Sequence, residues 1–412
     1  MTQVKIGTII SVTYWGSTIL KMFIKNAPYK KTGLVFIITY LAYTSIYISR
    51  LNLSIASPEL SGQGILTAAQ IGLLGSVFSV VFAIGRLLNG TLNDKVMPWI
   101  MLCTGLAAVG VSNILSGLMM SFIIMALLWG INAYAQSMMW GSVLRVMSSV
   151  YDSEKASKRT AIMVSSVAVG NLLGILINTW IISLFGVKFA YIIPGALNIL
   201  MCPITFIVLK KIPFEPNTEK RSILPINLLK QKGIRTMLVP AFCHGIMKDN
   251  ISLWMAAYFV TTFSIDLKKS SWFLLFIPVI GLVGRMSYSA VYRFCGRDEN
   301  KVSFYSFIVC IIAAAVLVLP IKQPVVSMLC LGIIYTAVSV INTSILSIYP
   351  LSFAKSGNIA TVSGLMDFAT YFGAGVGSAI YGFVISSFGY GAMFISWVAL
   401  SVLSFFFLPK RT

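Results

Sequence analysis

Long apolar segments recur along the whole chain of 412 residues. A helix needs about 20 consecutive apolar residues to cross about 30 Å of hydrocarbon. Segments of that length lie at 34–56, 70–92, 98–118, 122–146, 160–184, 189–209, 236–262, 271–294, 301–320, 324–348, 358–386 and 390–408. We therefore predict an all-α membrane protein with twelve transmembrane helices.

The charge distribution agrees with a membrane protein. Hydrophobic residues make up 58% of the chain and charged residues 10%, so a soluble fold would expose large apolar patches and aggregate. The formal net charge of +20 is compatible with nucleic acid binding, but the basic residues concentrate in alternate loops, as the positive-inside rule requires. We expect a multi-pass protein of the plasma (inner) membrane with both termini cytoplasmic, membrane lipids as partners, and no nucleic acid.

Four regions follow from this pattern. Residues 1–33 combine apolar and lysine positions and predict a cytoplasmic amphipathic segment. Residues 34–209 and 236–412 each contain six predicted helices, and the basic, proline-containing segment 210–235 links them in the cytoplasm. The six cysteines show no metal-like spacing. We expect a monomer with no metal and no cofactor.

The two halves repeat each other. Arg50 corresponds to Lys248 at an offset of 198 positions, and Gly-Arg dipeptides at 85–86 and 284–285 correspond at an offset of 199. Both matches occur at equivalent depths in equivalent helices. They predict two pseudo-symmetric six-helix bundles related by an axis along the membrane normal, with the substrate site on that axis.

A candidate anion site lies on the first helix. A charged side chain at the bilayer centre costs about 2.5 to 3.5 kcal/mol, so Arg50 and Lys248 need compensation that a bound anion could provide. Tyr43, Tyr47 and Arg50 are spaced i, i+4 and i+7 and therefore share a helical face. Two hydroxyls and a guanidinium suit an oxyanion. The alternative is an aromatic core stripe beside an arginine that reaches the interface.

The loop after the second helix predicts a cytoplasmic gate. Residues 90–95 read Gly-Thr-Leu-Asn-Asp-Lys and resemble the first half of the loop motif of the major facilitator superfamily, whereas residues 96–99 depart from its second half. This resemblance implies a fold of two six-helix bundles. We expect Asp94 to pair with Arg145 of the fourth helix and to close the cytoplasmic side. The alternative is an interfacial charge cluster without a gating role.

A narrower resemblance rests on three segments. The pattern Y-x-x-x-Y-x-x-R-x-N at 43–52 precedes Pro58, and two longer stretches are WGSVLRVMSSVYDSEKASKRTA at 140–161 and ATVSGLMDFATYFGAGVGSAIYG at 360–382. Together they resemble the organophosphate:phosphate antiporter family, which includes glycerol-3-phosphate and hexose-6-phosphate transporters. The resemblance implies that Arg50 and Lys248 hold the phosphate. It also implies that the path is lined by Tyr43, Tyr47, Arg86 and Tyr371.

Asp367 departs from that family's pattern. It stands one helical turn before Tyr371, and a carboxylate at this depth must be paired, protonated or bound to a cation. We expect it to pair with Lys248 in the same half. The pair could open when substrate binds, Asp367 could carry a proton, or the pair could be purely structural.

Three further residues are candidates or neighbours of the site. His244, the single histidine, precedes Lys248 by one turn and is expected to face the same way. It would then sense the ionisation of phosphate, although the alternative is a histidine hydrogen-bonded to a neighbouring helix. Asp249 is rotated about 100° from Lys248 and is expected to face another helix. Trp140 is a candidate for the cavity lining.

These observations predict a secondary transporter of a small organic anion. The first expectation is a phosphorylated metabolite exchanged for inorganic phosphate by alternating access around Arg50 and Lys248. Two alternatives stay open: a proton-coupled symporter of sugar acids, and a transporter-like receptor for a phosphorylated sugar. We do not expect an enzyme, because the sequence shows no nucleophile–base pair, no metalloprotease motif and no phosphate-cradling loop.

Overall fold

A computed structural model describes residues 32–212, 229–319, 323–356 and 359–408. The predicted amphipathic segment at 1–33 falls almost entirely outside the described residues, as does most of the predicted linker at 210–235. Both therefore stay predictions.

Every regular element in the described ranges is helical. The elements are α1 (Thr32–Arg50), α2 (Asn52–Gly62), α3 (Ala68–Lys95), α4 (Pro98–Leu118), α5 (Phe122–Ser137), α6 (Met139–Val150), α7 (Ser153–Phe185), α8 (Phe189–Leu209), α9 (Lys232–Phe263), α10 (Leu267–Phe294), α11 (Glu299–Val318), α12 (Pro324–Thr343) and α13 (Ile359–Phe407). A π turn (Ser344–Ile348) and a 3-10 helix (Tyr349–Ser356) follow α12. Gly389, with a φ of 75°, divides α13 into a first arm at 359–388 and a second arm at 390–407.

The prediction of twelve membrane-spanning helices is confirmed. Ten helical stretches of the described chain are long and apolar enough to cross a membrane, and α1 joined to α2 and α5 joined to α6 each count as one. The stretch within α13 contains two crossings, because Gly389 reverses the chain direction there. The twelfth is α9, whose 32 residues include the buried polar residues His244 and Asn250 and are therefore less apolar.

The spans alternate in direction, which gives the bundle two ends. The linker end carries the start of α1, the end of α8 and the start of α9. The opposite or distal end carries the connections at 63–67, 119–121, 186–188 and 264–266. In the orientation predicted from the basic loops, the linker end faces the cytoplasm.

Buried amides and hydroxyls join the helices of the first half. Asn52 donates to Asn113 at 2.5 Å, and Asn198 donates to Ser49 at 3.0 Å. Lipid tails are as apolar as leucine, so burial of apolar surface does little to hold membrane helices together. Close packing and hydrogen bonds of this kind therefore stabilise the bundle.

The two halves touch along a line of small residues between α3 and the first arm of α13. A Cβ added to Gly382 would lie 2.6 Å from the carbonyl oxygen of Ala68, and one added to Gly375 would lie 2.6 Å from Val80. Side chains at these glycines would force the helices apart. The glycines therefore allow the backbones of the two halves to approach closely.

A second contact between the halves lies at the distal end and reveals the repeat. Ser54 of α2 donates a hydrogen bond to the carbonyl of Ser252 on α9. The two serines are separated by 198 positions, which is the offset that relates Arg50 to Lys248. Equivalent residues of the two halves therefore meet across the pseudo-twofold axis, as the internal repeat predicts.

Candidate functional site

A cavity of about 290 Å³ lies between the two halves. Its charged lining residues are Arg50, Lys248, Asp249 and Arg285, and its polar residues include Tyr47, Asn171, Tyr335, Asn342 and Tyr371. The lining also includes Ser54 and Ser252, whose hydrogen bond joins the two halves on the distal side of the cavity. The volume lies at the lower end of the range of about 300 to 1,000 Å³ for small-molecule sites, so the cavity suits a small metabolite.

A break in the first span positions Arg50. Helix α1 ends at Arg50, and α2 starts at Asn52 after the single residue Leu51. The amide of Asn178 on α7 donates to the carbonyl of Ile48 at 2.9 Å and so fixes the last turn of α1 from the side. Because Ser54 lies four residues beyond Arg50, the backbone of Arg50 stands about 6 Å along the helix axis from the distal contact between the halves.

Glycines on α7 let that helix approach the same turn. A Cβ added to Gly170 would lie 2.5 Å from the Cβ of Tyr47, and one added to Gly174 would lie 3.2 Å from the Cα of Ile48. The residue after Gly170, Asn171, lines the cavity. This close approach therefore holds the arginine turn and brings an amide side chain to the site.

Aromatic rings surround the guanidinium of Arg50. Its Cζ lies 5.6 Å from the centroid of Tyr47, 4.8 Å from that of Phe78 and 4.9 Å from that of Phe82. Rings within about 6 Å stabilise a cation through their electron-rich faces but accept no strong hydrogen bond. Among the residues described, no carboxylate pairs with Arg50. Its N–H groups are therefore available to an anion in the cavity.

Lys248 has a different environment. Its Nζ lies 3.6 Å from a carboxylate oxygen of Asp249 and 5.4 Å from the ring centroid of Tyr371. The expectation that Asp249 faces another helix was wrong, because its side chain folds back to the neighbouring lysine and lines the cavity. Lys248 is thus partly neutralised, and the two cations of the sequence motif are unequal.

Asp367 does not pair with Lys248, so that expectation was also wrong. Its carboxylate lies 3.2 Å from the guanidinium of Arg86 on α3. Gly375 and Gly382 let α3 and the first arm of α13 pack closely, and this brings the turns that carry Arg86 and Asp367 together. Both side chains stand outside the cavity lining. The ion pair therefore joins the two halves beside the cavity.

Phe82 connects this ion pair to the candidate site. The guanidinium of Arg86 lies 5.9 Å from the ring centroid of Phe82, which also contacts Arg50 and packs 4.7 Å from the ring of Tyr371. Arg86 was predicted to line the substrate path. The structure places it one aromatic ring away from the cavity instead.

Tyr43, Trp140 and His244 lie behind the cavity rather than on its surface. The ring of Tyr43 packs 5.3 Å from Tyr47 and 5.4 Å from Trp140. His244 is fully buried, and its Nε2 lies 3.2 Å from the carbonyl oxygen of Val338 on α12. A separation of one helical turn leaves His244 rotated about 40° from Lys248. That rotation turns it toward α12, which corrects its assignment to the substrate.

Two residues of the cavity lining were not among the site residues predicted from the sequence. Arg285 lines the cavity from α10, and Tyr335 lines it from α12. The repeat contains a signal for Arg285, since the Gly-Arg dipeptide at 284–285 matches the one at 85–86. Nothing in the local sequence distinguishes Tyr335 from the other aromatic residues of the spans.

The predicted gate can be placed only in part. Arg145 is buried on α6 near the linker end. The side chain of Asp94 lies outside the described residues. The pairing of Asp94 with Arg145 therefore stays a prediction.

Comparison with protein families decides the class of this chain. The sequence profile described as Major Facilitator Superfamily matches residues 35–378. The chain belongs to the major facilitator superfamily. Within this superfamily, a "Probable hexose phosphate transport protein" of Chlamydia trachomatis serovar D is 27% identical over 167 residues, or 40% of this chain and 37% of that protein.

Two other relatives within the superfamily carry different descriptions. The "Membrane sensor protein UhpC" of Salmonella typhimurium is 28% identical over 165 residues, which cover 40% of this chain and 37% of the sensor. The "Phosphoglycerate transporter protein" of the same organism is 21% identical over 401 residues, covering 86% of this chain and 84% of the transporter. The match with the first two relatives thus covers just over a third of their lengths.

Solved structures show the same major facilitator fold. The nucleoside transporter NupG superposes with a TM-score of 0.73 at 14% identity and covers 92% of this chain and 98% of its own. A bacterial homolog of the human lysosomal transporter Spinster, inward-facing and unoccupied, gives a TM-score of 0.74 at 14% identity, with 93% and 95% covered. At these identities the likeness shows the fold alone.

Proposed function

We propose that this protein is a secondary transporter of a small organic anion, most simply a phosphorylated metabolite exchanged for inorganic phosphate. The observation that carries the proposal is the guanidinium of Arg50, which faces a cavity between the two halves and forms no ion pair with a described carboxylate. Arginine binds phosphate through two parallel hydrogen bonds. The names of the hexose phosphate and phosphoglycerate relatives support the phosphate class.

Exchange follows from the charge of the empty cavity. Closing the halves around Arg50 without an anion would desolvate an uncompensated cation, which is strongly unfavourable. A phosphate group at Arg50 neutralises this charge and allows the cavity to close. The carrier then changes its side of access mainly when loaded, either with the metabolite or with inorganic phosphate.

Vesicles reconstituted with the purified protein would test the proposal. We expect vesicles loaded with inorganic phosphate to take up labelled glycerol-3-phosphate or glucose-6-phosphate, and vesicles without internal phosphate to take up little. Arg50→Gln should remove uptake and binding while the protein stays folded. Uptake by Arg50→Gln at the normal rate would contradict the site.

Proton-coupled symport is a second candidate because Asp249 lines the cavity beside Lys248. A carboxylate at that position could take up a proton when an anion displaces it from the lysine. Uptake of a sugar acid driven by a pH gradient, without internal phosphate, would favour this function.

A sensor is a third candidate, since one relative is described as a membrane sensor. Binding of a sugar phosphate to the purified protein without any flux into vesicles would favour it.

We further propose that the protein resides in the plasma membrane with both termini cytoplasmic and acts as a monomer. The distribution of basic residues supports the orientation. Both halves of this chain contribute residues to the lining of the cavity, and this supports a monomer.

A further inference from the structure

The two arginines related by the internal repeat have different surroundings. Arg86 on α3 forms an ion pair with Asp367 across the halves at 3.2 Å. Its counterpart Arg285 on α10 is an exposed residue that lines the cavity. In the part of the chain that the structure describes, the ion pairs involve the cations Arg86, Lys155 and Lys248, and Arg285 takes part in none of them.

Close packing fixes the helix turn that carries Arg285. A Cβ added to the neighbouring Gly284 would lie 2.8 Å from the carbonyl oxygen of Thr336, and one added to Gly281 would lie 2.7 Å from the ring of Tyr335. Helix α10 therefore lies directly against α12. Arg285 therefore lies where α10 contacts α12, beside the cavity residues of α12.

Among the described residues, the cavity lining thus contains two arginines that form no ion pair, one from each half. Arg50 lies on α1 of the first half and Arg285 on α10 of the second, whereas Lys248 is partly neutralised by Asp249. An anionic group that binds one of the two arginines without reaching the other compensates only the arginine that it binds. The other would stay uncompensated when the halves close around the substrate.

We propose that Arg285 holds a second anionic group of the substrate. The site would then take a small metabolite with two separated anionic groups, such as a phosphate and a carboxylate. This inference rests on the proposed function, in which Arg50 holds the first group. The carboxylate of such a substrate would accept two parallel hydrogen bonds from the Arg285 fork, and this geometry makes arginine selective for carboxylates.

Calorimetric titration of the purified full-length protein would test the inference. The probes are 3-phosphoglycerate, with a phosphate and a carboxylate; glycerol-3-phosphate, with the phosphate alone; and succinate, with two carboxylates. We expect the wild type to bind 3-phosphoglycerate at least about tenfold more tightly than glycerol-3-phosphate, because a tenfold ratio corresponds to one charge-assisted hydrogen bond. Arg285→Gln should bring this ratio close to one.

Two variants serve as controls. Arg285→Lys keeps the charge but loses the fork and should retain a ratio of a few fold. Arg293→Gln removes an exposed arginine from the last turn of the same helix, outside the cavity, and should keep the wild-type ratio.

The outcomes separate this inference from the proposed function. If Arg285→Gln kept the wild-type ratio of affinities, or lost affinity for 3-phosphoglycerate and glycerol-3-phosphate equally, the role of Arg285 would be overturned. The proposed binding of phosphate by Arg50 would still stand. Binding of succinate that depends on Arg285, with no binding of either phosphate, would support the two-anion site and overturn the phosphate class. Absence of binding for all three probes would overturn both proposals.

Discussion

At the scale of single residues, the surroundings of a charge decide its role more than its sequence position does. Arg50 and Lys248 are equivalent in the repeat. Three aromatic rings surround the first, whereas Asp249 accompanies the second at 3.6 Å. The arginine is therefore available as a fixed anion anchor. Lys248 can bind an anion fully only if Asp249 moves away or is neutralised.

Arg50→Lys tests the importance of the guanidinium shape. The substitution keeps a positive charge but loses the two-pronged hydrogen bond and part of the contact with the rings of Phe78 and Phe82. We expect the dissociation constant for inorganic phosphate to rise about tenfold or more, corresponding to roughly 1.5 kcal/mol or more. Isothermal titration would measure it. An unchanged constant would show that a point charge suffices.

Asp367→Asn tests the ion pair between the halves. The substitution leaves the guanidinium of Arg86 without its carboxylate, while the two side chains are only 30% and 24% exposed. We expect a loss of roughly 1 to 3 kcal/mol in stability, seen as a melting temperature several degrees lower. The reversed pair, Arg86→Asp with Asp367→Arg, should recover part of the loss. Equal stability of Asp367→Asn and wild type would show that the pair contributes little.

At the scale of elements, glycines at the helix crossings determine which helices can meet at the site. Gly170 and Gly174 allow α7 to reach the turn that carries Tyr47, and Gly284 allows α10 to lie on α12. Small residues replace bulky side chains at such crossings because membrane helices gain from close packing rather than from the exclusion of water. The cavity geometry therefore depends on glycines that do not themselves line the cavity.

Gly170→Ala would test this dependence. The added methyl group would lie 2.5 Å from the Cβ of Tyr47, so α7 must move away from α1. Overpacking of this kind costs roughly 1 to 3 kcal/mol, and it should lower both the melting temperature and the affinity for phosphate.

Gly364→Ala is the matched control on the first arm of α13. Apart from its chain neighbours and the backbone of its own helix, no atom of the described residues lies within 4 Å of the Cβ that this substitution adds. Alanine is the better helix former by roughly 0.5 to 1 kcal/mol, so the melting temperature should stay constant or rise slightly. Equal losses in both variants would contradict the packing argument.

At the scale of the whole molecule, the proposed alternating access requires contacts between the two halves to open and close in turn. The hydrogen bond from Ser54 to Ser252 joins the two halves on the distal side of Arg50. We therefore expect solvent and substrate to exchange through the linker end in this state. Transport requires this distal contact to open while the linker end closes.

A double cysteine variant, Ser54→Cys with Ser252→Cys, would test the distal closure. Oxidation with a copper–phenanthroline catalyst should join the two halves there and stop transport in vesicles, because the distal side can no longer open. Binding of phosphate to the detergent-solubilised protein should persist, since the linker end stays accessible. A reducing agent should restore transport, and each single cysteine variant should be insensitive to the oxidant. Full transport by the cross-linked protein would contradict this state assignment.

The sequence by itself determined the number of spans, the internal repeat, and the placement of Arg50 and Lys248 in one cavity. These properties follow from local quantities: the length of apolar segments and the constant offset between equivalent residues. Tertiary structure alone decided the partner of each charge. Asp367 pairs with Arg86 instead of Lys248 because glycines on the first arm of α13 allow that arm to pack closely against α3. An ion pair is set by distances of a few ångströms, and such distances depend on how helices far apart in the chain pack together.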